Sequence, residues 1–151
     1  MSKKFIIVGA ITIFVGIFLY NALKSTKKPV IENAPEWRTL DAGLTEAAAS
    51  GKLVLVDVYE DGCKYCRAME QNVYPDSTVR TVLDAGYIPV KVNGNSDELI
   101  TFNGEQIMSR SWAQDHGVFV FPGTLILDAE GSMVKQRTGF MNVDELRRFL
   151  Y

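Results

Sequence analysis

One stretch of the chain, residues 53–70, constrains the fold more than any other. Leu53 to Tyr59 is a nearly continuous apolar run, which is typical of a strand covered on both faces. A short turn follows, and then Cys63 and Cys66, the only cysteines of the chain, begin a helical pattern. Two thiols at this spacing can close a small disulfide ring and open it again. The stretch therefore predicts a strand, a turn and a dithiol at a helix N-terminus.

The charges are distributed unevenly along the 151 residues. The first 28 residues carry five lysines and no acidic residue, so the remainder holds 11 basic and all 18 acidic side chains. A domain with a net charge of about −7 is a poor partner for nucleic acid, which requires a basic face. A disulfide between two closely spaced cysteines does not connect distant parts of a fold. A redox or metal-binding role for the pair is therefore favoured over a structural disulfide.

Residues 5–23 form a run of 19 residues without a charge. A helix of this length spans roughly 28 Å, which is close to the thickness of a bilayer core. The run lacks an Ala-x-Ala cleavage site at its end, so we expect an uncleaved membrane anchor in preference to a cleaved signal. Lysines flank both ends, so charge alone does not orient the segment. We predict an anchor or signal in residues 1–28, a linker in residues 29–37 and one domain in residues 38–151.

The pattern beyond residue 38 alternates between strands and helices. It predicts strands at 53–59, 87–92, 124–127 and 133–137, and helices at 44–50, 63–73 and 105–116, with two more that begin after Asp76 and at Asn142. Asp128 to Gly131 predicts a hairpin turn between the last two strands. We therefore expect an α/β fold with a mixed central sheet and helices on both faces.

Cys63 and Cys66 have different expected roles. The helix N-terminus favours the thiolate of the first cysteine, which makes Cys63 the expected attacking sulfur. Cys66 is the expected resolving thiol, which releases a mixed disulfide. Lys64 also favours a thiolate, whereas the acidic residues just before Cys63 oppose it, so the net direction of the thiol pKa stays open. A pair of buried, inert cysteines is the less favoured alternative.

Asp57 and Pro122 are two further candidate site residues. Asp57 interrupts an apolar strand six positions before Cys63, and a buried carboxylate there would have a raised pKa and exchange a proton with the resolving cysteine. An exposed strand edge is the alternative, but the two neighbouring valines favour burial. Pro122 enters a strand, which requires a bend or a cis bond. A cis bond would leave the Phe121 backbone free to pair with an incoming peptide; an ordinary loop proline is the alternative.

Metal binding is another use of two thiols. They supply half of a tetrahedral site, or a site for copper(I). The sole histidine, His116, lies far along the chain near a predicted helix end, where a structural role is favoured. A non-catalytic binding module is a further alternative. We expect no metal and no cofactor other than the redox-active disulfide itself.

These motifs resemble those of the thioredoxin superfamily over about residues 44–150. The resemblance is carried by Val56-Asp57 before Cys-x-x-Cys, by the Phe121-Pro122 step and by the Asp-x-x-Gly hairpin. Residues 136–141 and the following helix are similar to the C-terminal thioredoxin-like domains of the DsbD family of thiol:disulfide interchange proteins. The resemblance implies a thioredoxin-like fold in which the nucleophile, the resolving cysteine, the buried acid and the cis-proline are Cys63, Cys66, Asp57 and Pro122.

Some positions depart from the family pattern. Gly62 stands where the family usually has Trp, and Lys64 and Tyr65 form an unusual dipeptide between the cysteines. Redox potential and partner choice depend on this dipeptide and on the residues around the proline. We therefore expect Lys64, Tyr65 and Phe121 to contact the substrate.

The resemblance also implies activity, partners and location. It favours a thiol:disulfide oxidoreductase, more specifically a protein-disulfide reductase. The expected partners are protein thiols and disulfides, a membrane electron donor or partner oxidoreductase, and the membrane itself through residues 5–23. The expected place is the cytoplasmic membrane with the domain facing the periplasm or the cell exterior, or a secreted or periplasmic form if the segment is cleaved.

Overall fold

The structure, a computed structural model, describes residues 3–24 and 31–151. Part of the predicted linker, residues 29–30, lies outside the described residues. The helices are α1 (Lys3–Lys24), α2 (Leu40–Ser50), α3 (Lys64–Asn72), α4 (Ser77–Gly86), α5 (Ser109–Asp115) and α6 (Val143–Leu150). The strands are β1 (Leu53–Tyr59), β2 (Tyr87–Asn93), β3 (Leu99–Phe102), β4 (Glu105–Met108), β5 (Gly123–Leu127) and β6 (Met133–Thr138). The chain divides into two compact units, Met1–Val30 and Ile31–Tyr151.

Helix α1 belongs to the first unit. The Thr12 hydroxyl donates hydrogen bonds to the carbonyls of Val8 and Gly9, at 3.2 and 2.9 Å. The large apolar side chains between Ile7 and Tyr20 are exposed. Among the helices of the described residues, none combines the length and the apolar character that crossing a membrane requires. The membrane anchor predicted for residues 5–23 is not confirmed.

A four-stranded sheet forms the centre of the second unit, with the strand order β2-β1-β5-β6. Strand β1 pairs with β2 in parallel and with β5 antiparallel, and β6 pairs antiparallel with β5. Five consecutive residues of β1, Val54 to Val58, are buried, because this strand has a neighbour on each side and helices on each face. The mixed sheet predicted from the sequence is confirmed.

Alternate residues of β1 enter two separate hydrophobic clusters. Val54 and Val56 pack with side chains of α2 and α5, which include Trp112. Leu55 packs on the opposite face with side chains of α3, α4 and α6, which include Met69. This alternation follows from the period of two in a strand. Helices cover both faces of the sheet, as predicted.

Residues 105–116, which the sequence pattern predicts as one helix, form strand β4 and the shorter helix α5. Strands β3 and β4 pair antiparallel, with Ile100 opposite Ile107. Asn103 and Gly104 connect them with φ values of 52° and 82°. Asn-Gly adopts this left-handed conformation readily and is a favoured two-residue hairpin turn. The helix prediction is wrong for residues 105–108, because the turn pairs the two short segments before a helix can form.

The other elements lie close to their predicted positions. Helix α2 begins at Leu40, four residues before the predicted start, because Leu40, Leu44 and Ala47 share one buried face. The Asp76 side chain caps α4 by accepting two backbone N–H groups. Asn142 caps α6 through a reciprocal capping box with Glu145, so this helix has a defined start.

Candidate active site

The Cys63–Cys66 disulfide lies at the N-terminus of α3. Cys63 precedes the first helical residue with an extended backbone, and Gly62 before it has a φ of 82°. The Cys63 Sγ accepts a hydrogen bond from the backbone N–H of Cys66 at 3.0 Å. The two Cα atoms are 5.3 Å apart. The predicted cysteine pair at a helix start is present in its disulfide form.

The two cysteines differ in their exposure. Cys66 is buried, whereas Cys63 is half-buried. Lys64 and Tyr65, the two residues between them, are exposed. An incoming thiol therefore reaches the disulfide from the Cys63 side. Both side chains of the dipeptide are available to whatever approaches.

Asp57 is buried in β1, as predicted, with only 1% of its surface exposed. Its Oδ1 accepts a hydrogen bond from the Tyr74 hydroxyl at 3.0 Å. Burial raises the pKa of Asp57 to about 6, while the Lys91 charge and the Tyr74 hydrogen bond act in the opposite direction. Burial also raises the pKa of Tyr74 well above its usual range, so its hydroxyl keeps the proton that it donates. Asp57 is thus a buried acid that titrates nearer neutrality than an ordinary aspartate.

Lys91 and Glu70 complete a charged cluster with Asp57. Lys91 Nζ lies 2.7 Å from Glu70 Oε1 and 4.0 Å from Asp57 Oδ2. Asp57 and Lys91 are paired in register on the parallel strands β1 and β2, so both side chains lie on one face of the sheet. Glu70 comes one helical turn after Cys66 on α3. The ammonium group therefore lies between two carboxylates, of which one is fully buried.

Aromatic rings surround the Lys91 ammonium group. Its Nζ lies 4.8 Å from the ring centroid of Tyr59 and 5.3 Å from that of Trp37. The Trp37 ring also packs edge-on against Tyr74, with centroids 5.0 Å apart. Arg38, the next residue, hydrogen-bonds along the free edge of β2 and so holds Trp37 in this position. The rings limit the contact of the charged cluster with water.

Sequence reasoning missed Lys91, Glu70 and Tyr74. A signal for Lys91 exists, because it is the one charged residue in the alternating apolar pattern of residues 87–92. The strand register that places it beside Asp57 is not readable from the pattern. In the sequence, Glu70 is one polar residue of a predicted amphipathic helix, and Tyr74 lies just after its end. Nothing in either residue's neighbours marks it as part of the site. Their part in the cluster depends on how α3 packs on the sheet.

The Phe121-Pro122 peptide bond is cis. The Pro122 carbonyl accepts a hydrogen bond from the backbone N–H of Gly139 at 2.7 Å, which ties this turn to the loop after β6. The Phe121 ring is half-buried and packs against the first hydrophobic cluster. Among residues 31–151, no backbone hydrogen bond of Phe121 is present. The backbone groups of Phe121 are therefore available to pair with a partner segment.

The acidic turn before the disulfide is held by two asparagines. Asn95 Nδ2 donates to Glu60 Oε2, and Asn93 Nδ2 donates to Asp61 Oδ2, both at 3.1 Å. The amides direct both carboxylates towards the end of β2. Negative charge is therefore fixed on this side of the disulfide, where it opposes the effect of the helix N-terminus on a thiolate.

His116 lies apart from the disulfide in an aromatic stack. Its ring is stacked on Trp112 with centroids 4.3 Å apart, and its Nδ1 lies 2.7 Å from the Trp112 carbonyl oxygen. Within the described part of the chain, no group of three or more His, Cys, Asp or Glu side chains is arranged to hold a metal ion. The contacts of His116 are those of a packing residue.

A family model described as a thioredoxin-like domain matches residues 40–151, which is most of the chain. The chain belongs to the thioredoxin-like family. The matched range covers every element from α2 to α6, including the disulfide and the cis-proline.

Curated relatives of this thioredoxin-like chain are thiol:disulfide interchange proteins. DsbD of Pseudoalteromonas atlantica is 25% identical over 153 residues, which cover 89% of this chain and 24% of that protein. DsbD 1 of Pseudomonas aeruginosa is 43% identical over 56 residues, which cover 33% of this chain and 10% of that protein. The chain spans about a quarter or less of the length of these relatives.

Solved structures show the same fold. A thioredoxin from Thermus thermophilus has a TM-score of 0.61 at 22% identity, covering 78% of this chain and 85% of that one. The oxidised C-terminal domain of DsbD from Neisseria meningitidis has a TM-score of 0.56 at 22% identity, covering 72% of this chain and 87% of that one. The predicted thioredoxin-like fold and its resemblance to the DsbD C-terminal domain are confirmed.

Proposed function

We propose that this thioredoxin-like domain is a thiol:disulfide oxidoreductase that reduces disulfides of partner proteins. The observation that supports it most directly is the Cys63–Cys66 disulfide at the start of α3, with one half-buried and one buried cysteine. An accessible sulfur exchanges with a partner, and a protected sulfur a turn away resolves the product. The thiol:disulfide interchange proteins among the relatives support the same reaction class.

The proposed reaction begins with the reduced pair. The Cys63 thiolate attacks one sulfur of a partner disulfide, and the other partner sulfur leaves as a thiolate that takes up a proton. Cys66 then gives its proton to Asp57 and attacks Sγ of Cys63, which releases the second partner sulfur as a thiolate that takes up a proton from water, while Asp57 returns its proton to water. The partner gains two electrons and two protons, and Cys63 and Cys66 end as a disulfide. A carboxyl with a pKa of about 6 is suited to accept a proton near neutral pH.

The Cys66 N–H group supports the choice of Cys63 as the nucleophile. It donates to the Cys63 sulfur at 3.0 Å, and a hydrogen bond to a sulfur at a helix N-terminus stabilises its thiolate. Lys64 adds a positive charge beside the pair. Pro122, Tyr65 and the Phe121 backbone would contact the partner segment that carries the disulfide.

Cysteine variants of the full-length chain in detergent test this function. Cys66→Ser, reduced and mixed with insulin as a disulfide-containing protein, should accumulate a covalent complex that a reducing agent reverses. Cys63→Ser should form none, because the accessible sulfur is missing. The proposal fails if the Cys63→Ser variant reduces insulin as the natural chain does.

The direction of electron flow is tested by the redox potential. Equilibration of the full-length chain in glutathione buffers should give a value nearer to about −270 mV, as in a reductant, than to about −120 mV, as in an oxidant. We propose the reducing direction from the resemblance to the DsbD C-terminal domain; the names of the relatives give only thiol:disulfide interchange. The oxidised domain needs a second dithiol to reduce it, and we propose that a membrane electron donor or partner oxidoreductase supplies this dithiol.

We further propose that the chain is held in the cytoplasmic membrane with the domain on the periplasmic or outer side. The anchoring rests on the uncharged run at residues 5–23, and the side rests on the cysteine pair, which favours an oxidising compartment. Membrane fractionation tests it. The natural chain should remain with membranes after an alkaline carbonate wash, and Ile13→Asp should release it, because a charge at the centre of a span disfavours insertion by about 3 kcal/mol. Recovery of the natural chain in the wash would contradict the proposal.

A further inference from the structure

Large apolar side chains are exposed around the disulfide. Tyr65, Phe119, Val120 and Phe140 have exposed fractions of 58%, 70%, 63% and 40%. We call these four residues the apolar border. A folded domain gains nothing in stability from exposed large apolar groups, and when such groups lie together they mark an interaction site.

The segments that carry the apolar border meet at one end of the sheet. Val58, near the end of β1, is opposite Gly123 at the start of β5. The antiparallel pairing therefore places the loop before β5, with Phe119 and Val120, at the same end of the sheet as the turn that leads to Cys63. The hydrogen bond from the Gly139 N–H to the Pro122 carbonyl brings the loop after β6 to this end as well.

Tyr65 and Phe140 link the helix to this loop. Their ring centroids are 6.1 Å apart with an angle of 48° between the planes, although the residues are far apart in the sequence. Tyr65 lies between Cys63 and Cys66 on α3. A protein segment that brings a sulfur to Cys63 therefore lies within reach of both rings. Aromatic surfaces of this kind bind aromatic and large aliphatic side chains.

The opposite side of the disulfide has a different character. Glu60 and Asp61 lie in the turn before Cys63, and their asparagine partners Asn95 and Asn93 are at the end of β2. In the order β2-β1-β5-β6, strand β2 lies on one side of β1, and β5 and β6 lie on the other. The disulfide therefore has these two carboxylates, the acidic border, on the β2 side and the apolar border on the β5 side.

We propose that this surface selects an extended partner segment whose reactive cysteine has an aromatic or large aliphatic residue on one side and a lysine or arginine on the other. The apolar side chain would cover Tyr65 and Phe140, and the basic side chain would face Glu60 and Asp61. Charge complementarity favours this orientation over the reverse one. The inference rests on the proposed thiol–disulfide exchange at Cys63.

Peptide reactivity tests the selection. The full-length Cys66→Ser variant, reduced and in detergent, is mixed with short peptides whose single cysteine is bonded to thionitrobenzoate. The Cys63 thiolate attacks the peptide sulfur, a mixed disulfide forms, and the coloured thionitrobenzoate anion leaves. Three peptides carry Phe and Lys, Ser and Lys, or Phe and Glu beside the cysteine. Ellman's reagent, which has no peptide flanks, gives the intrinsic reactivity of Cys63, and each peptide rate is divided by it.

The peptide with Phe and Lys should react about tenfold faster, after normalisation, than the peptide with Ser and Lys. A tenfold ratio corresponds to the free energy of a good aromatic contact. Replacing the peptide's Lys by Glu should lower the rate about threefold, and high salt should remove this second difference because the charges are exposed. When Phe140→Ser is combined with Cys66→Ser, the ratio between the rates of the Phe–Lys and Ser–Lys peptides should fall close to one. Val134 on β6 is 52% exposed and serves as the control. Val134→Ser should leave the tenfold ratio between these two peptides unchanged.

Equal normalised rates for the three peptides would overturn the proposed selection while Ellman's reagent still reacted. The selection is also overturned if Val134→Ser lowers the Phe preference as much as Phe140→Ser does. If Cys63 attacked neither the peptides nor Ellman's reagent, the proposed exchange function itself would fail. The two failures are therefore distinguishable.

Discussion

Lys91 Nζ lies 4.0 Å from Oδ2 of Asp57, on the strand that runs parallel to β1. Burial alone would raise the pKa of Asp57 further, because a charge in the interior loses its hydration. The ammonium group offsets part of this effect, and Glu70 on α3 acts against the ammonium by adding a second negative charge. Burial thus raises the pKa of Asp57, and charged residues from two different elements adjust it.

Removing Lys91 should raise the pKa of Asp57 above 6. In Lys91→Met the buried carboxylate loses its nearest positive charge, and we expect a rise of about one pH unit or more. The carboxyl carbon signal of Asp57, followed by NMR against pH in the oxidised chain, measures it. Lys135→Met is the matched control, since Lys135 lies over the Phe149 ring and not at the cluster. An unchanged or lower pKa in Lys91→Met would contradict the arrangement.

Removing the charge of Glu70 should act in the opposite direction. Glu70→Gln takes away a carboxylate that raises the pKa of Asp57, and it frees Lys91 from its 2.7 Å contact. The pKa of Asp57 should therefore fall. The same NMR titration measures it, and a rise after this substitution would show that Glu70 does not act through charge.

Replacing Asp57 by Asn should stabilise the oxidised protein at high pH and not at low pH. The carboxyl pKa is about 6 in the folded chain and 3.8 as the ordinary value, so between these values the folded state binds more protons than the unfolded state. The natural protein therefore loses stability as the pH rises from about 4 to above 6. A shift of this size corresponds to about 3 kcal/mol.

Denaturant unfolding of the oxidised natural chain and of Asp57→Asn at several pH values checks this expectation. The free energy of unfolding of the variant, minus that of the natural chain, should increase by about 2.5 kcal/mol between pH 4 and pH 8. The oxidised form is used because its cysteines do not titrate. A difference that stayed constant over this range would show that Asp57 does not titrate with a raised pKa.

Gly94→Ala should destabilise the domain next to the cis-proline turn. An added Cβ would lie 2.6 Å from Val58 Cγ1 and 2.7 Å from Phe121 Cε1, so a packed side chain must move. Overpacking of this kind lowers the free energy of unfolding by about 1–3 kcal/mol. Gly86→Ala is the control, because a Cβ there meets no atom within 4 Å at the end of α4 and should be neutral or stabilising. Equal thermal midpoints for the two variants would contradict the packing argument.

Gly104→Ala should weaken the β3–β4 hairpin. Gly104 has a φ of 82° with open space around it, so the penalty is one of backbone conformation and not of packing. We expect a loss of about 1 kcal/mol, and a smaller loss in Gly104→Asn, since Asn tolerates the left-handed region. Thermal unfolding of both variants measures the order. A loss in Gly104→Asn that equals or exceeds that in Gly104→Ala would show that the turn is not left-handed there.

The elements that sequence patterns predicted well have strong local signals. The buried run of β1 and the caps at Asp76 and Asn142 are signals of a few neighbouring residues, and the structure places these elements where they were expected. The prediction failed at residues 105–108, where the apolar residues Ile107 and Met108 precede Trp112 and Met108 has the helical i, i+4 spacing to it. There the Asn-Gly turn and the pairing with β3 outweigh the local pattern. Whether a short segment forms a strand or a helix depends more on the segment it pairs with than on its own hydrophobic periodicity.

The residues of the candidate site also differ in whether a local sequence signal reveals them. Sequence reasoning named four candidates whose residue type itself carries chemistry or restricts the backbone: Cys63, Cys66, Asp57 and Pro122. Sequence reasoning did not identify four residues that act through their contacts with other residues: Lys91, Glu70, Tyr74 and Phe140. Each of these contacts joins two elements that are separate in the sequence.

Residue identity and spacing within a few positions were enough to find the dithiol, the helix start that holds it, the acid in the strand before it and the proline at the start of β5. The packed domain was needed to establish that Asp57 shares Lys91 with Glu70, and that Tyr65 meets Phe140 beside an acidic border. The physical reason is that strand register and helix packing minimise the free energy of the whole domain, which no local stretch encodes.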